Sequence, residues 1–87
     1  MINPVKLGFT FGSLVAIMHI GWVAVVAAGL GQVLADFVFR IHFFTPNTEV
    51  EPFEIGRALV LIAVAFSAAF VVAALGGAIW NSFNRMR

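Results

Sequence analysis

Two long stretches without a charged side chain, residues 7 to 35 and 58 to 84, constrain this chain more than any other feature of its sequence. As helices rising about 1.5 Å per residue, each reaches roughly 40 Å, against about 30 Å of bilayer hydrocarbon. A core helix of a soluble domain carries an apolar stripe. These runs are apolar all round, and a chain of 87 residues has no other material with which to cover them. The composition agrees, with 62% of residues hydrophobic and 10% charged, where soluble domains are about a quarter charged. The sequence therefore predicts an all-α membrane protein, a two-helix transmembrane hairpin. Span one is expected over about 7–35, an interfacial aromatic segment and loop over 36–55, and span two over about 56–82. Residues 1–87 form one unit.

Lys6, the apolar run behind it and the small residues around Ala27 and Ala28 look like a secretory signal with its cleavage site. The uncharged run is longer than the roughly 7–15 residues of a signal's apolar region, so the segment reads as a span.

Local signals refine the hairpin. Asn3 followed by Pro4 suits a helix start, since the Asn side chain can accept from free amides and proline at the first position loses no bond. From there one helix is expected to run into the mid-thirties. Asp36 to Phe44 fits either a strand, with Phe37, Phe39, Ile41 and Phe43 on one side, or a helix with Asp36 and Arg40 paired at i, i+4. The helix is preferred, because an isolated strand at a membrane surface leaves its backbone groups unpaired. Its aromatics, with Arg40 and His42, describe a chain lying among lipid headgroups.

Thr45 to Glu51 is the expected loop, with Pro52 in the first turn of helix two and Glu51 and Glu54 as solvated carboxylates at the positive end of its dipole. A cation site shared by Glu49, Glu51, Glu54 and His42 is the lesser alternative, since nothing in their spacing is diagnostic of one. Helix two closes with Trp80, then Arg85 and Arg87, an aromatic belt followed by interfacial cations. Lys6, Arg85 and Arg87 near the termini, against Arg40 and Arg57 between the spans, place both termini in the cytoplasm.

Small residues mark candidate packing faces. On helix one, Gly8, Gly12, Ala16 and His19 fall within about 80° of a helical wheel. On helix two, Ala58, Ala65, Ala69, Ala73 and Gly76 form one ridge, and Ala63, Ser67, Ala74 and Ala78 form another roughly opposite. Two ridges call for two helical neighbours, of which helix one is only one. The other is a further transmembrane subunit or a second copy.

His19 is the one ionisable group inside the first span, and it should face protein, as a neutral ring hydrogen-bonded to a neighbouring helix. The alternative is an axial ligand to haem or bacteriochlorophyll, with Trp22 one turn away. Light-harvesting helices typically place Ala four residues before such a histidine; here that residue is Val15. No cofactor and no metal is predicted. His19 and His42 on one continuous helix would lie roughly 35 Å apart, too far to share an ion.

Other classes find little support. Without cysteine there is no thiolate chemistry; Ser13, Ser67 and Ser82 have no neighbouring base, and no carboxylate pair sits at membrane depth, so the chain does not read as an enzyme. A net charge of +1 offers no surface for nucleic acid. Neither span has a polar stripe to line a transport path.

The run from Asn3 to Gly8, the pairs Gly31 and Gln32, Asp36 and Phe37, His42 and Phe43, the acidic start Glu51 to Phe53, and the closing Trp80 and Asn81 together resemble a group of short bacterial two-span proteins of unknown function, along nearly the whole chain. The resemblance implies the bacterial inner membrane and no activity. The sequence thus points to a non-catalytic accessory or structural subunit, with a pigment- or haem-carrying helix pair and a self-associating, holin-like protein as alternatives.

Overall fold

The computed structural model describes residues 1–86; Arg87, one of the expected anchors, lies outside the described residues. Three helices form among the described residues: α1 over Pro4–Ala27, α2 over Gly31–Ile41 and α3 over Ile55–Asn84. There is no strand among the described residues, so the preference for helix over strand after Asp36 holds. α1 and α3 are long and apolar enough to cross a membrane.

α1 starts as expected. The Asn3 side-chain oxygen accepts from the amides of Val5 at 3.0 Å and Lys6 at 3.2 Å, and Pro4 occupies the first helical position. Its end differs from expectation: the single helix into the mid-thirties is broken after Ala27. Gly29 adopts φ of 81°, its amide bonds the Val26 carbonyl, and the Leu30 amide bonds that of Val25, both at 3.0 Å. This is a Schellman closure, which needs a left-handed residue that glycine supplies without a Cβ penalty. Gly31 is forced by proximity instead, since a Cβ there would lie 2.9 Å from a Val26 methyl and 3.1 Å from one of Val50.

α2 therefore begins afresh and projects from the hairpin, touching α1 near the junction and not packing on α3. Gln32 ties the following loop back to it. Its Oε1 accepts from the Val50 amide at 2.7 Å, while Nε2 donates to the Thr48 carbonyl and to Asp36 Oδ1, each at 2.9 Å. Asp36 is thus engaged by Gln32, in place of the expected pair with Arg40. α2 ends in a second Schellman closure, Phe43 to Arg40 and Phe44 to Phe39, with Phe43 at φ of 67°.

α3 begins later than expected. Pro52 lies ahead of it, and Glu54 is the capping residue, with extended backbone and no capping bond from its side chain. The carboxylates of Glu51 and Glu54 both turn to the Arg57 guanidinium, the second at 3.3 Å. An arginine two residues into the helix competes successfully with the free amides.

α1 and α3 pack antiparallel along one seam in a flat body of 52 × 31 × 14 Å. Gly8 faces the Phe70 ring and Gly12 the Phe66 ring, close enough that a Cβ on either would come within 2.9 Å. Phe9 completes an aromatic cluster, edge-on to Phe70 at 5.1 Å between centroids. Toward the termini Gly77 meets Leu7 and Pro4, and toward the loop Ala58 and Ala65 are buried. Most of the other positions on the two helices are exposed and the rest half-buried.

Candidate functional site

Three places merit a functional reading: the seam, His19 and the loop end of the hairpin. At the seam, Gly8 and Gly12 make the close approach their spacing suggests, but against phenylalanine rings and not against an alanine ridge. Ala65 is buried, Ala16, Ala69 and Ala73 are half-buried, and Gly76 is open with nothing within 4 Å of a Cβ placed on it. Gly77 takes the position expected for Gly76. A straight wheel misplaces it, because past Ala65 the seam runs through Ala69, Ala73, Gly77 and Asn81, four residues and so about 40° further round α3 at each step. The same drift half-buries Ala74 and leaves Ala63, Ser67 and Ala78 exposed.

The seam ends in a contact that the sequence reading did not single out. Asn81, 8% exposed, accepts from the Ile2 amide at 2.9 Å and donates to the Ile2 carbonyl at 2.6 Å. One side-chain amide thereby satisfies both backbone groups of a residue that no helix serves. Its signal was an amide residue four positions after Gly77, where the apolar stretch of α3 ends.

His19 is half-buried in α1, and its Nδ1 lies 2.9 Å from the Val15 carbonyl. A carbonyl only accepts, so Nδ1 carries a proton, and in the neutral ring Nε2 has the lone pair. The expected bond to a neighbouring helix is replaced by one within α1, which any helical histidine can make; His42 does the same with Val38 at 2.7 Å. His19 lines an open groove with Met18, Trp22 and Leu61.

That tautomer is the one an axial ligand would use, with Nδ1 held by a carbonyl and Nε2 free. A macrocycle requires a slot covering most of its surface, whereas this groove is an open one between α1 and α3. The break at Gly29 removes the continuous-helix separation of His19 and His42. Even so, among the described residues no three His, Asp or Glu side chains come together as metal ligands.

At the loop end α1 and α3 diverge around a cleft of about 360 Å³. Trp22, Val23 and Val26 of α1 and Ala58 and Leu61 of α3 form its apolar floor; residues 49–54 and Arg57 form its rim. The rim is charged and wet. Arg57, Glu51 and Glu54 are each about two-thirds exposed, so their pairing contributes little to stability. Comparison with protein-family models, characterised proteins and solved structures finds no match to this chain.

Proposed function

We propose that this chain is a non-catalytic membrane subunit whose α3 packs on α1 with one face and on a further transmembrane helix with the other. One observation carries the reading. Ser67 lies near the middle of α3, about 18 Å from its start and within the hydrocarbon, and is exposed on the side away from Ala65. Among the described residues none exchanges a hydrogen bond with its hydroxyl. Thr10, by contrast, donates to the Lys6 carbonyl at 2.8 Å. A free hydroxyl at that depth is costly in lipid and useful against a helix.

The setting proposed is a bacterial inner membrane, supported by the resemblance to short two-span bacterial proteins. Both termini are placed in the cytoplasm on the strength of Lys6, Arg85 and Arg87. α2 is assigned to the headgroup layer, because Leu34, Phe37 and Ile41 are exposed along one side while Gln32, Asp36 and Arg40 occupy another.

Photo-crosslinking in native membranes tests the partner. A benzophenone side chain at Ser67 or Ala78 is expected to give a discrete protein adduct, and one at Val72, 70% exposed and on neither ridge, only lipid adducts. An adduct with a second copy would favour the self-associating alternative. Lipid adducts alone from Ser67 would end the two-neighbour reading.

A further inference from the structure

We propose that the cleft at the loop end seats a phospholipid whose head carries a primary ammonium group. The cleft lies at the right depth. α1 and α3 have 24 and 30 residues, so they span about 36 and 45 Å and their ends emerge into the headgroup layer. Arg57 is in the first turn of α3, and Trp22 sits about 8 Å inside the end of α1, where interfacial tryptophans lie.

The chemistry of the rim selects the head. Arg57 gives Nη1 to Glu51 and Nε to Glu54, which leaves its Nη2 free to donate to a phosphate. Glu49, on the same rim, is in no ion pair among the described residues and can take an ammonium. Three carboxylates against one guanidinium leave the rim negative, which disfavours lipids of net negative charge. Below the rim the floor is apolar, and it continues along α3 as a groove past Val60, Leu61 and Val64 in the direction acyl chains run. A volume of about 360 Å³ fits a head, its glycerol and the first methylenes, within the roughly 300–1,000 Å³ of small-molecule sites. A partner helix would meet a concave, charged-rimmed surface it could not fill.

Trp22 reports on the site directly. With Trp80→Phe it becomes the only tryptophan, and the full-length protein can be placed in phosphatidylcholine vesicles doped with brominated phosphatidylethanolamine or, at equal mole fraction, brominated phosphatidylglycerol. The ethanolamine lipid is expected to quench Trp22 with about threefold higher relative affinity, the scale of an exposed ion pair. Glu49→Gln combined with Glu51→Gln should bring the two lipids to parity. Equal quenching in the parent protein, a preference for the glycerol lipid, or a preference that survives both glutamines would each overturn the proposal. The comparison of lipids needs no folding-sensitive variant, and its outcome is independent of whether Ser67 meets another helix.

Discussion

The two ends of the hairpin solve the same problem differently. At the terminal end glycines meet side chains across the seam, from Gly12 on Phe66 to Gly77 on Leu7 and Pro4, and Asn81 clamps the backbone of Ile2. At the loop end small residues still line α3, yet the helices part around a cleft and are held by the chain itself and by Gln32. In lipid there is no hydrophobic force pressing helices together, so association rests on close packing and hydrogen bonds. The terminal end has both. The loop end can remain open because its covalent connection makes contact unnecessary.

The largest test of that contrast is Gly12→Leu. A Cβ on Gly12 would meet the Phe66 ring at 2.9 Å and its carbonyl oxygen at 3.1 Å, and a backbone atom cannot swing aside. A loss of about 3 kcal/mol is expected in detergent unfolding, the upper range for overpacking. Gly8→Leu meets only the Phe70 ring and should cost less, while Gly76→Leu and Gly21→Leu, which face open space, should be close to neutral. Equal losses at Gly12 and Gly76 would remove the distinction between a packed and a free face.

Next in size is the clamp. Asn81→Ala removes two hydrogen bonds, each worth about 0.6 kcal/mol in membrane helices, so a loss near 1 kcal/mol is expected. Amide exchange should rise at Ile2 and leave Phe66 unaffected. If exchange rises along the whole of α3, the clamp governs the seam and does not merely close it.

These tests also locate what the sequence disclosed. Charge-free runs are a one-dimensional signal, and they identified the two apolar helices because each is apolar along its own length. Asn3 with Pro4 is local chemistry and was readable for the same reason. The run from 7 to 35 was misleading at its far end, where charge is silent about backbone. Gly29 and Gly31 marked the break, one by its left-handed φ and the other by its contact with Val26 and Val50, but only the first is a property of local sequence. The seam was half legible: the spacing of Gly8 and Gly12 is visible in the sequence, whereas Gly77, Phe66, Phe70 and Asn81 depend on how two helices wind about each other. Tertiary drift cannot be drawn on a straight wheel.

Gln32→Ala probes the loop end at a smaller scale. The side chain holds both Thr48 and Val50, so proteolysis and amide exchange across residues 45 to 50 should accelerate severalfold. Global stability should fall by less than about 1 kcal/mol, since one bond is exposed and the other only part-buried. A loss as large as that of Gly12→Leu would mean that the loop, and not the seam, holds the hairpin together.

The smallest effect is expected at Phe43, and its sign is informative. Phe43 closes α2 with φ of 67° and is 98% exposed, so in water the chain keeps a large aromatic in a left-handed conformation that favours glycine. Phe43→Gly relieves about 1 kcal/mol of backbone strain, but glycine's extra freedom in the unfolded chain takes back about 0.5–1 kcal/mol. In micelles the net change should be a few tenths of a kcal/mol in either direction. In a bilayer the balance differs if α2 lies among the headgroups, because the lost ring then also forfeits interfacial contact. A spin label at Phe37 should move outward by a measurable depth in the Phe43→Gly variant, with the hairpin itself unchanged. An unaltered depth would place Phe43 in water, and its strained backbone would then need an explanation other than the membrane surface.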